Sequence, residues 1–370
     1  MRTPRAILIV NPFGIGDVLF TTPLIRAVRQ AFPKSRLGYV GNRRTESILR
    51  TNVSLDDIFV YEKDELVHLW RTDRWQCLAC VRELLRRMRS ARFDAAIDLS
   101  LGERYGFILK MLGVRRRFGF NYHNRGRFLT ETFPIDGYHD LHIVEYYRQL
   151  LHWMGVRLEH DALELAVDAA DRRWAEDWIS AYRLDDERPL IGMVPAGGVS
   201  WGIDAPFRRW SCEGFAAVGD TLVQRYGARI LLFGEATDST TCQAVARLMR
   251  YPVVDVSGQT TLGQFVGLLG RLALVICNDG GPLHLAVTQG VKTVSIFGPV
   301  DPNVYGPYPP SDQRHRVVRQ QHLPCRPCYH QFRLPPCPYE RACLTTIDPA
   351  EVMEACEALL GPHPAAQSPA

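Results

Sequence analysis

The sequence predicts an α/β protein made of two doubly wound, Rossmann-like halves facing a cleft. Three observations carry that reading. Short apolar runs alternate with amphipathic helical spacings through both halves of the chain. The first run, Ala6-Ile7-Leu8-Ile9-Val10, leads into a turn holding Gly14 and Gly16 and then a helical spacing through Leu19, Leu24, Val28 and Phe32. Late in the chain a second strand-turn-helix passes from the apolar run ending at Cys277 through Asn278-Asp279-Gly280-Gly281 to Pro282, a residue suited to the start of a helix.

In the first half, strands are expected at Leu37–Val40, Ile58–Tyr61, Ala95–Leu99 and Arg117–Phe120, with helices at Leu78–Arg89, Tyr105–Leu112 and His142–Met154. This gives an N-terminal domain over 1–160, and the mixed, acid-rich segment Leu158–Asp171 reads as a linker. The second domain, 170–347, repeats the alternation. Its strands are expected at Leu190–Val194, Ala228–Phe233, Val253–Val256, Leu274–Asn278 and Thr293–Phe297. Its helices are expected at Arg172–Tyr182, Cys212–Tyr226, Ser239–Met249, Leu262–Leu269 and Pro282–Gln289. Asp348-Pro349-Ala350-Glu351 is a well-formed helix start, and the helix over 348–361 is expected to pack back on the first domain. The Pro/Ala/Ser/Gln-rich tail over 362–370 is expected to be disordered.

Composition narrows the function classes. A chain of 370 residues with 46% hydrophobic and 23% charged residues is long enough for two cores. The apolar segment at Ala6–Val10 is one strand long and lacks a cleavage-site pattern, so neither a signal peptide nor a transmembrane segment is expected. The expected place is the cytoplasm, with a peripheral position on the inner face of the cytoplasmic membrane as the further expectation. Ten cysteines spread over strand-like and helical runs fit reduced thiols. A net charge of +4 is too small to indicate nucleic acid. The first half is the basic one, with 26 Lys and Arg against 20 Asp and Glu over 1–170. Arginine clusters at Arg86-Arg87-Met88-Arg89, at Arg115-Arg116-Arg117 and at Arg125 and Arg127 read as solvated faces or as contacts to an acidic substrate or an anionic membrane.

The chemistry concentrates at two turns. In an α/β sheet the carboxyl end of a strand opens into the ligand crevice, and the free N–H groups of a helix start make a seat for phosphate. Gly280 and Gly281 would let a pyrophosphate approach the backbone, with His284 one turn in. The plainer alternative makes Asp279 a helix N-cap and His284 a core histidine. The first turn carries only G-x-G, without the third glycine of a dinucleotide fingerprint, so a nicotinamide cofactor is poorly supported. Its acid, Asp17, is either a carboxylate reaching a substrate or an N-cap near a helix dipole. A separate constellation, Cys325-x2-Cys328-x8-Cys337-x5-Cys343 with His322 and His330 nearby, reads either as a structural zinc or iron site or as free, packed thiols.

Three stretches in register resemble glycosyltransferase family 9, the heptosyltransferases that use ADP-activated heptose in lipopolysaccharide core assembly. They are Leu8-Ile9-Val10-x3-Gly14-x-Gly16-Asp17-x-Leu19; Pro195-Ala196-Gly197-Gly198 leading to Arg208-Arg209-Trp210; and Asn278-Asp279-Gly280-Gly281-Pro282-x-His284-Leu285-Ala286 followed by Phe297-Gly298-Pro299-x-Asp301-Pro302. The resemblance implies a GT-B fold with the acceptor on the first domain and the nucleotide sugar on the second. It also implies an inverting, metal-independent transfer with Asp17 as general base and a donor site at Arg208, Asp279, Gly280, Gly281 and His284. Arg115, Arg116, Arg117 and Arg125 are the expected contacts to the acceptor.

The residues agree with that chemistry. No Asp-x-Asp pair is present to clamp a metal on a sugar diphosphate, so backbone N–H groups, His284 and the Arg208 guanidinium are the available stabilisers of the leaving ADP. The chain departs from the family in having Arg208 where many members have a lysine, and Gly280 where a small hydroxyl residue is common. Its insert at Val199–Phe207 is longer than in the shortest members and is read as a flap over the donor. The expected reaction is heptose transfer from ADP-heptose to an acidic lipid-linked saccharide at the inner membrane surface, with no cofactor required. The alternatives are transfer to a protein hydroxyl and a sugar-nucleotide-binding module without transfer activity.

Overall fold

The computed structural model describes residues 3–197, 199–329 and 332–362. It divides into two compact units, one ending at Asp161 and the other beginning at Ala162. The first unit holds a parallel sheet of β1 (Ala6–Val10), β2 (Arg36–Gly41), β3 (Asp57–Val60), β4 (Ala95–Asp98), β5 (Arg116–Tyr122) and β6 (Glu131–Ile135), in the order β3-β2-β1-β4-β5-β6. The second unit repeats it with β7 (Leu190–Val194), β8 (Arg229–Leu232), β9 (Val253–Asp255), β10 (Leu274–Asn278), β11 (Thr293–Ile296) and β12 (His315–Val318), in the order β12-β11-β10-β7-β8-β9. Each sheet therefore reverses its strand order once, between β1 and β4 and between β7 and β10. In an open α/β sheet that reversal point is where ligands bind, outside the carboxyl ends of the two strands.

The central strands are continuous apolar runs because helices cover both faces of a parallel sheet, and every residue of β1, β7 and β10 is buried. Among the elements absent from the sequence-based expectation, two edge strands and one helix each lack such a run. β6 is an edge strand with Pro134 in it, a residue tolerated there because one side needs no ladder hydrogen bond. β12 is the edge of the second sheet and mixes His315 and Arg316 with two valines. The helix Lys63–Thr72 buries none of its residues, so it shows no stripe facing a core.

The C-terminal helix corrects an expectation. Pro349–Leu360 begins with a reciprocal cap, in which Asp348 Oδ1 accepts the Ala350 N–H at 2.8 Å and Glu351 Oε1 accepts the Asp348 N–H at 3.2 Å. Its apolar face, Val352, Met353, Cys356 and Leu359, expected on the first domain, joins Phe215, Leu222, Ile296 and Val318 in the core of the second unit. Lys292 Nζ donates to the Leu359 carbonyl at 2.8 Å and fixes the end of the helix in the same unit. The tail expected over 362–370 lies, beyond residue 362, outside the described residues.

Candidate functional site

In the second unit the carboxyl ends of β7 and β10 lie side by side, with Val194 paired to Cys277. Asn278, the last residue of β10 and only 4% exposed, ties the surrounding loops together. Its Nδ2 donates to the carbonyls of Pro195 (2.8 Å) and Ala196 (3.3 Å), and its Oδ1 accepts the Trp210 N–H at 2.9 Å. Arg209 Nε donates to the Gly197 carbonyl at 3.0 Å. The indole N–H of Trp210 reaches the Ile347 carbonyl at 3.3 Å, and its ring leaves no room for a side chain at position 214, which is glycine. Sequence reasoning included Asn278 in a motif and gave it no role. The available signal was a buried polar side chain closing a wholly apolar strand, which has to find partners.

These ties place Arg208 beside Asp279, Nη2 to Oδ2 at 2.5 Å, with side chains 10% and 3% exposed. Burial pushes the Asp279 carboxyl above its usual range, and the guanidinium works against that shift. Asp279 is not the helix N-cap that the plainer reading made of it. The N-cap is Gly280, and the acid pairs with Arg208 instead. Gly280 has φ +155° and ψ −171°, backbone open essentially to glycine alone, and no side-chain atom but a proline Cδ at 3.8 Å stands where its Cβ would be. Gly281 starts the eight-residue helix Gly281–Thr288. His284 lies one turn in and is 3% exposed. The structure thus gathers Arg208, Asp279, Gly280, Gly281 and His284 at one switch point. The loop Val199–Arg208 is a kinked 3-10 segment that turns at Gly202, where φ is +55°.

The first unit has its own switch point. Asn11, fully buried after β1, donates from Nδ2 to the Asp17 carbonyl at 3.1 Å, while Asn42 Nδ2 donates to the Phe13 carbonyl at 2.6 Å. Asp17 sits in the first turn of the helix Ile15–Phe20, and its Oδ2 accepts the Gly14 N–H at 3.2 Å, so a capping role is real. Its charge is also felt beyond the helix. Burial, and after it the Asp17 carboxylate, holds the Tyr138 phenol far above the ordinary range. Beside Val10 across the switch point stands Asp98, the last residue of β4, which the sequence reading placed inside the strand Ala95–Leu99 without a role. It is 4% exposed, its Oδ1 accepts the Ser100 N–H at 2.9 Å, and burial raises its pKa to about 6.

The four arginines expected to meet the acceptor are not together. Arg115, Arg116 and Arg117 are at the amino end of β5, the end opposite the switch-point loops of this parallel sheet. Arg116 pairs with Glu131 at 3.2 Å and lies over the Phe118 ring, while Arg117 Nε donates to the Phe128 carbonyl at 2.6 Å. A run of three basic residues in a strand alternates faces and shares one end, so adjacency in sequence says nothing of which end. Arg125 alone follows the carboxyl end of β5, exposed and placed over the Tyr122 ring.

Cys325, Cys328 and Cys337 lie outside any helix or strand, and Cys343 is buried in the short helix Ala342–Thr345 that follows them. Burial raises the Cys328 thiol and pushes Cys343 up to about 11, and the neighbouring thiols add to both shifts. Among the described residues no group of three or more His, Cys, Asp or Glu is arranged to hold a metal ion, and His330 lies outside them. Arg326 gathers this region, donating to the carbonyls of Gly298 and Gln320, both at 2.6 Å, and Val300 at 3.3 Å.

Comparison with known proteins agrees with this architecture. The model of glycosyltransferase family 9 (heptosyltransferase) matches residues 81–334. Lipopolysaccharide heptosyltransferase 2 of Escherichia coli K12 is 23% identical over 324 residues, covering 85% of this chain and 87% of the relative. Among solved structures, a family 9 glycosyl transferase from Veillonella parvula superposes with a TM-score of 0.81 at 25% identity, covering 96% of this chain and 97% of the other. The ADP-heptose lipopolysaccharide heptosyltransferase II of E. coli gives a TM-score of 0.73 at 21% identity, covering 96% and 98%.

Proposed function

Because the chain belongs to glycosyltransferase family 9, the heptosyltransferases, we propose that it transfers heptose from ADP-heptose to an acidic, lipid-linked core saccharide. The observation that carries this reading is the knot at Asn278, whose single amide ties both segments of the second motif, Pro195-Ala196 and Trp210, to the third at the switch point of the second sheet. The ADP diphosphate would lie against the start of the helix Gly281–Thr288, where backbone N–H groups are free of any side chain at Gly280 and Gly281. Arg208, aimed by Asp279, adds a charge-assisted contact, and His284 a donor one turn in.

Asp17 of the first unit is the proposed base. The acceptor hydroxyl oxygen forms a bond to the anomeric carbon, the bond from that carbon to the diphosphate oxygen breaks, and the hydroxyl proton passes to the Asp17 carboxylate. Attack opposite the leaving group inverts the anomeric centre. ADP departs with the bonding electron pair, stabilised by the dipoles and charges already in place at its seat. Arg125 is the arginine in position to meet an anionic acceptor.

The test is product analysis. The purified chain, incubated with ADP-heptose and a deacylated core saccharide in EDTA, should yield a saccharide heavier by one heptose and an equal amount of ADP. Activity that vanishes in EDTA and returns with Mg²⁺ would overturn the metal-free mechanism. ADP binding without any transfer to saccharide or protein hydroxyls would leave a sugar-nucleotide-binding module in place of the enzyme.

A further inference from the structure

The first unit carries a helical hairpin that its core hardly uses. The helix Lys63–Thr72 buries no residue, and Val67 and Trp70 on it are 43% and 50% exposed. The following helix, Arg74–Ser90, is capped by Asp73, whose side chain accepts the Gln76 N–H at 3.0 Å. Over its 17 residues only Cys77 and Met88 are buried. Cys77 Sγ donates to the Leu66 carbonyl at 3.4 Å and joins the two helices, while Met88 packs with Ala91 and Phe93 in the core.

The outward face of the second helix is ordered. Trp75 is 82% exposed and Leu78 48%, and Arg82, Arg86 and Arg89, all exposed, continue along the same side. At a helical turn of about 100° per residue these five positions fall in a stripe roughly 80° wide. An apolar end thus passes into a basic end on one face. Trp70 is brought to the apolar end, with the Arg74 guanidinium 5.6 Å from its ring. The helix carries five arginines and one acid, Glu83, which holds Arg86 at 2.8 Å. Arg87, off the stripe, turns its guanidinium over the Phe59 ring.

We propose that this face is a membrane-docking surface, which lays the first unit on a bilayer rich in anionic lipid. A lone tryptophan with most of its ring in water is stabilised at the level of lipid headgroups, where its apolar body and polar N–H are both accommodated. Arginines about two, three and four turns further on keep their stems along the interface and their charges among phosphates. Together these are the two parts an interfacial helix needs, apolar contact and attraction to anionic headgroups. A second copy of the chain fits poorly, since it would set one row of arginines against another. The docking does not depend on the acceptor assigned above, because the vesicles that test it carry no saccharide.

The full chain should co-sediment with vesicles of phosphatidylethanolamine and phosphatidylglycerol, and hardly at all with vesicles of phosphatidylcholine. Added salt should release it. Neutralising the row in Arg82→Gln/Arg86→Gln/Arg89→Gln should weaken binding about a hundredfold, and Trp75→Ser about tenfold. All four side chains are exposed, so circular dichroism and the melting temperature should stay at wild-type values, as should turnover with a water-soluble acceptor. Failure of the wild type to bind anionic vesicles, or equal binding by the triple variant, would overturn the proposal. So would a dimer, seen by ultracentrifugation, that these substitutions dissociate while vesicle binding is unchanged.

Discussion

Arg208 Nη2 stands 2.5 Å from Asp279 Oδ2, and both side chains are nine-tenths or more buried. Removing either partner leaves the other charge in low dielectric, so Arg208→Ala and Asp279→Asn should each lower stability by about 3–5 kcal/mol. Replacing both with apolar residues, as in Arg208→Met/Asp279→Leu, should recover most of that loss. If the pair serves the donor, ADP affinity should not recover with it. Calorimetric titration of ADP beside chemical denaturation separates the two effects, and normal ADP binding by the double variant would reduce the pair to a structural role.

Gly280 holds φ at +155°, a value that a Cβ makes costly. Gly280→Ala should destabilise the protein by roughly 1–3 kcal/mol. The substitution also disturbs the backbone proposed to face the diphosphate, so ADP should bind at least about tenfold more weakly at a temperature where the variant is fully folded. Unchanged affinity in a folded variant would move the diphosphate elsewhere.

Asp17 can be tested without disturbing its cap. In Asp17→Asn the side-chain oxygen still accepts the Gly14 N–H, which spans 3.2 Å in the native chain, so stability should change by less than about 1 kcal/mol. ADP binding should stay within a few-fold, while turnover falls by roughly 10² to 10⁴. A variant that keeps its turnover would leave Asp17 as a cap alone.

Asp98 gives a pH signature. Its folded pKa of about 6 lies above the ordinary aspartate value of 3.8, so the folded state holds the proton over that interval and the unfolded state has already released it. Stability from this group is therefore present below about pH 4 and is lost as pH rises to about 6, by up to about 3 kcal/mol. Asp98→Asn removes the effect. The difference in unfolding free energy, variant minus wild type, should grow in the variant's favour between these pH values and then level off. A flat difference would mean that the carboxyl is not proton-holding in the folded chain.

What the sequence displays depends on how many neighbours dictate each residue. β10 is buried on both faces and flanked by two strands, so its composition is forced and its bounds are readable. β6 and β12 have one neighbour each, and Pro134 or Arg316 is compatible with that position, so nothing in their residues demands a strand. In the same way Arg208 and Asp279 each declare themselves by charge beside a motif, yet their pairing is a property of folded loops far apart in sequence. Arg115 to Arg117 mislead for a related reason: charge density is legible in one dimension, and the end of the strand that bears it is not.

The Asn278 amide binds Pro195, Ala196 and Trp210, all in its own unit, and Asn11 and Asn42 bind groups in theirs. At each switch point the asparagine and the groups it binds thus belong to one unit, and the division between the units falls near residue 161. Heredity can act on such halves separately. A recombination event in that short stretch would exchange one half for a diverged copy and leave the bonds of these three asparagines intact, so shuffling of halves is a route to new chains beside slow coordinated drift.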